Sequence, residues 1–370
     1  MSDGGARAAA GPGAGSGDSP IAGSDSDAAP NAAPKADPNA KPAEPAEPGA
    51  AAVHVVTGKG GTGKSTIAGA LALRLAAGGG RVLLVEVEGR RSISATVGLP
   101  RLPRSPEKVA TAAAGGEVHA CSLDAEVVLE DYLSSNVGSA LAISAARKLG
   151  VTEFATAIAP GLRDVLLSGF IVAEARRGDW SAVVVDAPPT GRVARFLDVT
   201  RALGDIATSG PIHRQARDTA AFLRSGSTRV HMVALAEPLP VRESLESLAE
   251  LADVGLPLGS VVVNKLLDDD LCDAALSASR EHVPAVAHGL SADDAGRVAV
   301  ADALLAELDD VAARARVQRE SFAELTDAWS GPVTTVPALP GGVRIEGLYE
   351  LADRLGGLDH RDESDEEADR

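Results

Sequence analysis

Short unbroken runs of Val, Leu and Ala recur along the chain, and between them apolar positions fall at helical spacing. Runs apolar on consecutive positions suit strands covered on both faces. AAVHVVTG at 51–58 ends in glycine and predicts a buried strand; STIAGALALRLAA follows with a helical pattern broken at Gly78–Gly80, and RVLLVEVEG predicts a second buried strand. Strand, helix and strand at this spacing form a βαβ unit with parallel strands and a right-handed crossover. SAVVVDAPP (181–189), HMVALAEP (231–238), GSVVVNK (259–265) and VTTVP (333–337) extend the same sheet. Helical patterns occupy 124–133, 139–149, 161–177, 192–224, 241–254 and 292–325, and no internal repeat is evident. The expectation is one doubly wound, mostly parallel α/β domain from 51 to 356, with helical elaboration at 124–177 and 192–224.

Composition sets the ends of that domain. Residues 1–50 are Ala, Pro, Gly, Ser and Asp with almost no branched or aromatic side chains, too little apolar surface to offset chain entropy, so this segment reads as disordered. Residues 357–370 read as an acidic disordered tail. Residues 1–50 hold seven acids and three bases, and 359–370 seven acids and two bases, so −8 of the net −17 belongs to the body. A net-acidic body is a poor non-specific partner for DNA or anionic membranes, and no nucleic acid is expected. No apolar run reaches the roughly 18 residues of a spanning helix, and the N-terminus lacks a basic-then-apolar leader. Cys121 and Cys272 are far apart, giving neither a disulfide framework nor a Cys-x-x-Cys. A cytoplasmic protein is the simplest reading.

The candidate chemistry begins where the first strand ends. GKGGTGKS at Gly58–Ser65 fills the pattern G-x-x-x-x-G-K-[ST] between a strand and a helix. Gly58, Gly60, Gly61 and Gly63 let the backbone of the loop, with Thr62, turn its N–H groups onto a phosphate, and the helix opening at Lys64, Ser65 and Thr66 adds favourable partial charge. Lys64 is suited to the β- and γ-phosphates of a nucleotide and the Ser65 hydroxyl to Mg²⁺. The bland alternative is a glycine-rich turn that binds nothing. Asp186 closes the run VVVD, where a carboxylate orders the Mg²⁺ shell, and APPTGR (187–192) supplies a stiff loop that can sense the γ-phosphate; the alternative is a turn or cap aspartate. Glu86 and Glu88 end the second strand on one face by period-two alternation. Either could orient an attacking water, or both could be surface acids paired with Arg90 and Arg91.

Lys59, followed by Gly60 and Gly61, is the mark of the deviant Walker A group, and the loop resembles those of MinD and ParA partition ATPases, nitrogenase iron protein and the arsenite-pump ATPase. That resemblance implies that Lys59 reaches across a dimer interface to the partner's nucleotide; without it, Lys59 is a solvent-facing loop lysine. The set of segments resembles the ArsA, or anion-transporting, ATPase family, which includes the tail-anchored-protein targeting ATPase. DAPPTGR at Asp186–Arg192 stands for the family's D-T-A-P-T-G-H, and Val263, Asn264 and Lys265 for its V-N-[QKR]. VPALPGGVRIEGL (336–348), which contains Pro337, is similar to its last strand and proline-rich loop. The resemblance spans about 53–353. It implies ATP with Mg²⁺, hydrolysis, and adenine binding by Asn264 beside Lys265 and Pro337. It puts Glu88 at the position of the water-positioning aspartate, one methylene longer than usual. The zinc-holding Cys-x-x-Cys of the targeting factors is missing and Cys121 alone, per subunit, cannot supply a cluster, so neither zinc nor an iron–sulfur cluster is expected; one ATPase module stands where arsenite-pump subunits have two.

What such an ATPase would drive divides three ways. A targeting, transport or chaperone-like ATPase would act as a homodimer, or a heterodimer with a paralogue, on a protein or membrane-protein client. Leu166, Leu167, Phe170, Ile171 and Val172 are its candidate client surface, although core packing is the better reading of those side chains. A MinD/ParA-like positioning switch is the alternative, opposed by the acidic C-terminus. A small-molecule synthetase of the same fold would need a substrate pocket facing the γ-phosphate, which the sequence does not disclose.

Overall fold

A computed structural model of the protein describes residues 45–87, 92–124, 128, 160–199, 211–277, 283–290, 293–339 and 343–358. Among these, the strands are β1 (Ala52–Gly58), β2 (Arg81–Glu86), β3 (Glu107–Thr111), β4 (Glu117–Ser122), β5 (Ala182–Asp186), β6 (Thr228–Leu235), β7 (Leu258–Leu266) and β8 (Val333–Pro337). They form one sheet of order β3-β4-β2-β5-β1-β6-β7-β8, parallel except for the antiparallel β3–β4 pair. The first strand of the chain is thus central, and the chain winds outward from it in both directions. This is the doubly wound arrangement, which leaves ligand room outside the carboxyl ends of the strands.

Alternate side chains of each strand feed two cores. Val53 and Val55 of β1, Leu83 and Val85 of β2, and Val183 and Val185 of β5 enter one core. Against that face pack α3 (Pro160–Arg176), α4 (Thr190–Leu197), α5 (Pro211–Leu223) and α6 (Pro238–Asp253). Val56, Leu84 and Val184 enter the other core, under α1 (Lys64–Ala76), α2 (Ser92–Thr96) and α10 (Ile345–Arg354). Both layers are closed by fully buried side chains such as Leu71, Leu83, Phe196 and Leu251. Each contributes about 1.5–3 kcal/mol relative to exposure. Further out lie α7 (Asp269–Ser277), α8 (Val283–Leu290) and the long α9 (Asp294–Ala328). Among the described residues no helix is long and apolar enough to cross a membrane.

Several expectations change in detail. The pattern at 192–224 resolves into the separate helices α4 and α5 among the described residues, and β3, β4, α7 and α8 were not anticipated. The patterns at 124–133 and 139–149 lie outside the described residues save for Asp124 and Val128. Leu166, Leu167, Ile171 and Val172 are buried in the core, with Phe170 packed against it, so they do not form a client surface in this structure. The boundary at residue 50 also moves: the Glu47 N–H donates to Ser227 Oγ at 2.8 Å, and Arg176 pairs with the Glu47 carboxylate at 2.7 Å. Leu358, likewise beyond the expected end at 356, is buried in the second core.

Two buried histidines bridge β1 and β6. The Ser260 backbone N–H donates to His231 Nδ1 at 3.2 Å, so the proton of a neutral His231 sits on Nε2, which donates to His54 Nδ1 at 3.1 Å. The ring planes lie within 4° of one another, with centroids 5.3 Å apart. Burial, reinforced by the nearby Arg229 charge, pushes His54 down to about 4; burial, then the neighbouring His54 and Arg229, pushes His231 well below the usual value. Folded pKa values below the unfolded value mean stability that is complete above about pH 6.5 and lost as pH falls from there towards 4. Each proton contributes up to about 1.4 kcal/mol per pH unit. Urea midpoints between pH 6.5 and 5 should therefore fall steeply for this protein and clearly less steeply for His54→Leu, which removes one of the two sites.

Candidate active site

The carboxyl end of β1 runs straight into the glycine loop, and the loop's shape depends on two glycines. Gly58 has φ 153°, and a Cβ there would lie 2.2 Å from the Val233 carbonyl oxygen. Gly63 has φ 94°, and its Cβ would lie 2.3 Å from Asn264 Nδ2. No other residue type fits either position without moving backbone or the Asn264 side chain. Gly63 also caps α1 without any side chain, and the first turn of α1 holds no acid but begins with Lys64. A lysine in the first turn opposes the helix dipole, and the turn's N–H groups have no upstream carbonyls within the helix. Both features are what an external anion would relieve.

Side chains from distant strands hold this loop in place. Thr62 Oγ1 donates to the Lys59 carbonyl at 2.9 Å, as does Lys64 Nζ at 3.4 Å. Asn264 Nδ2 donates to the Thr62 carbonyl at 2.8 Å, while Lys265 Nζ donates to the Gly61 carbonyl at 2.8 Å. Lys265 adopts φ 59°, a left-handed conformation costly for a non-glycine residue, and its N–H donates to Asn264 Oδ1 at 2.9 Å. The end of β7 therefore stitches the loop down, a role the motif reading did not assign to Asn264 and Lys265. The second Asn264 N–H remains chemically able to serve a ligand.

The carboxylates gather on the same face of the sheet as α1. Asp186 is the register partner of both Val56 and Glu86, and both acids are buried. Strand alternation turns them towards the α1 core, because their neighbours Val185 and Val85 face the other one. The 187–192 segment is fastened to the loop's strand: Thr57 Oγ1 donates to the Pro188 carbonyl at 2.8 Å, and the Ala187 N–H to the Val56 carbonyl at 3.0 Å. In that segment Thr190 Oγ1 is buried without a hydrogen-bond partner among the described residues. Such a hydroxyl costs about 1–3 kcal/mol unless a ligand or water satisfies it. Glu88, with Arg90 and Arg91, lies outside the described residues.

Lys59 has a partner that its motif does not reveal. Its ammonium lies 3.0 Å from the carboxylate of Glu243 on α6, and both side chains are partly exposed. Beyond the end of β7, a cavity of about 230 Å³ is lined by Leu266, Asp268, Cys272, Phe322, Thr335 and Pro337. Pro337 faces Leu266 in the β7–β8 register, so two of the residues expected near a base, Lys265 and Pro337, flank or line one cavity.

The set fits a magnesium nucleotide. The loop leads into a helix N-terminus that has no side-chain cap, Thr190 offers a buried hydroxyl, and Ser65 with Asp186 offers the hard oxygen donors Mg²⁺ takes. Comparison with known proteins points to an ATPase. The profile of the family described as anion-transporting ATPase matches residues 51–209. A protein of Mycobacterium tuberculosis named ATPase BagA is 44% identical over 317 residues, which covers 82% of this chain and 92% of that protein. A provisionally named ATPase of Mycobacterium bovis matches equally well. A provisionally named arsenical pump-driving ATPase of Prosthecochloris vibrioformis is 25% identical over 57% of this chain and 60% of its own length.

Proposed function

The chain belongs to the anion-transporting ATPase family, and from that premise we propose that it binds Mg-ATP at Gly58–Thr66 and hydrolyses it in a nucleotide-gated dimer that drives transport, targeting or chaperone-like handling of a partner. The observation that carries this reading is the alignment on one sheet face of the capless α1 N-terminus, Asp186 and Glu86. In the proposed cycle the loop amides and Lys64 hold the β- and γ-phosphates. Ser65 and Asp186 hold the Mg²⁺, which when bound neutralises phosphate charge. Thr190 donates towards the γ-phosphate, and Glu88 orients the water. The base lies in the cavity walled by Leu266 and Pro337, and the second Asn264 N–H serves it. The dimer forms from two copies or with a paralogue, in the cytoplasm.

Lys59 is the residue that makes dimerisation matter. Its ion pair with Glu243 is partly exposed, and pairs of that kind contribute about 0–1 kcal/mol. The pair is therefore easily exchanged for a partner's triphosphate, where the lysine meets developing charge in a dry site. Lys59→Ala should keep Mg-ATP affinity within about threefold but lower turnover about 100-fold or more, a loss on the order of 3 kcal/mol in transition-state stabilisation. Sedimentation of the unsubstituted chain should show a monomer-to-dimer shift with ATP and Mg²⁺. Wild-type turnover in Lys59→Ala would remove the trans role.

A further inference from the structure

The long helix α9 reaches the glycine loop through one side chain that no motif marks. Gln318 is half-buried on α9 and spends both ends of its amide on the backbone at the end of β7. Its Oε1 accepts the Leu267 N–H at 2.9 Å, and its Nε2 donates to the Lys265 carbonyl at 3.3 Å. Between them, the Leu266 carbonyl accepts the Ala338 N–H at 2.8 Å. The turn at 265–267 is thus held from two sides, by α9 and by the segment after β8. Arg319, the next residue of α9, pairs with Asp273 of α7, so the same helix also grips the element that follows the turn.

That turn carries strain and carries the loop. Lys265 is left-handed there, a conformation that persists for a side chain with a Cβ only where the surroundings over-determine it. From this turn Asn264 and Lys265 reach the carbonyls of Thr62 and Gly61, and Leu266 walls the cavity beyond β7. Because both ends of its amide are engaged, Gln318 has no donor to spare for a ligand and acts through the backbone it holds. We infer that Gln318 is a positioning residue for the Mg-ATP reaction, fixing the Lys265–Leu267 turn in the conformation that fastens the glycine loop and shapes the cavity for the base; this rests on the function proposed above. Without the clamp the turn spreads over other conformations, and apparent affinity falls by the fraction that stays competent. Bound nucleotide restores the arrangement, so the chemical step at saturation changes little.

The experiment uses the full chain. Gln318→Met keeps the length of the side chain and its helix preference but removes both hydrogen bonds. The KM for Mg-ATP, and the Kd by calorimetry, should rise at least about tenfold while kcat stays within about threefold of the parent. Lys265→Met removes the bond to Gly61, and the two substitutions combined test the route. If Gln318 acts through Lys265, the double variant binds within about twofold of the weaker single variant, whereas independent effects multiply. Should Gln318→Met fail to fold, Gln318→Glu decides by the same measurements: it keeps the acceptor for Leu267, lacks the donor to Lys265, and should raise KM at least about threefold. Parent-like KM in the folded variant, a loss confined to kcat, or losses that multiply in the double variant overturn the inference. A parent chain that binds no Mg-ATP overturns the proposed function with it; a parent that binds, beside variants that bind equally well, overturns this inference alone.

Discussion

Lys64→Ala should lose at least about 100-fold in Mg-ATP affinity, measured by calorimetry, while folding normally. The expected loss comes from two charge-assisted hydrogen bonds to phosphate, each worth about 1.5–3 kcal/mol. In the structure Lys64 Nζ reaches back over the loop to the Lys59 carbonyl, a weak contact at 3.4 Å. Losing that contact costs little fold stability. Stability and binding therefore move independently. A variant that unfolds instead would show Lys64 to be a structural residue.

Asp186→Asn should act on turnover rather than on binding of the nucleotide itself. It keeps the shape of the side chain but removes the charge that favours Mg²⁺, and the rate should fall about 100- to 1000-fold. Asp186 is a buried register partner of the buried Glu86, so the two carboxylates face the same side of the sheet. Added Mg²⁺ should stabilise the parent protein more than Asp186→Asn, because a ligand that binds only the folded state raises its stability in proportion to affinity.

The central part of the fold was legible because its strands are covered on both faces. AVHVVTG, RVLLVE and AVVVD bury nearly every side chain, and that leaves unbroken apolar runs. β3 and β4 left no such mark. EKVAT is an edge strand with no fully buried residue, and EVHACS mixes buried and partly exposed positions. A short antiparallel edge such as β3 is specified by its partner rather than by its own pattern. The glycine loop and Asp186 were legible for a different reason: phosphate wrapping restricts residue type at fixed offsets. The contact between Lys59 and Glu243 joins residues from different parts of the chain and left no local signal. The same holds for the bonds from Asn264 and Lys265 to the loop carbonyls, which only the pairing of β6 with β7 brings about. Thr190 stood in a motif, but that its hydroxyl lacks a partner among the described residues is a property of packing.

The claim beneath these readings is that the backbone amides from Gly60 to Thr66 enclose a triphosphate. Hydrogen exchange of those amides, measured with and without Mg-ATP, tests it most directly. The account predicts strong added protection across Gly60–Thr66, lost in Lys64→Ala. Saturating Mg-ATP that leaves the exchange of these amides unchanged would contradict it.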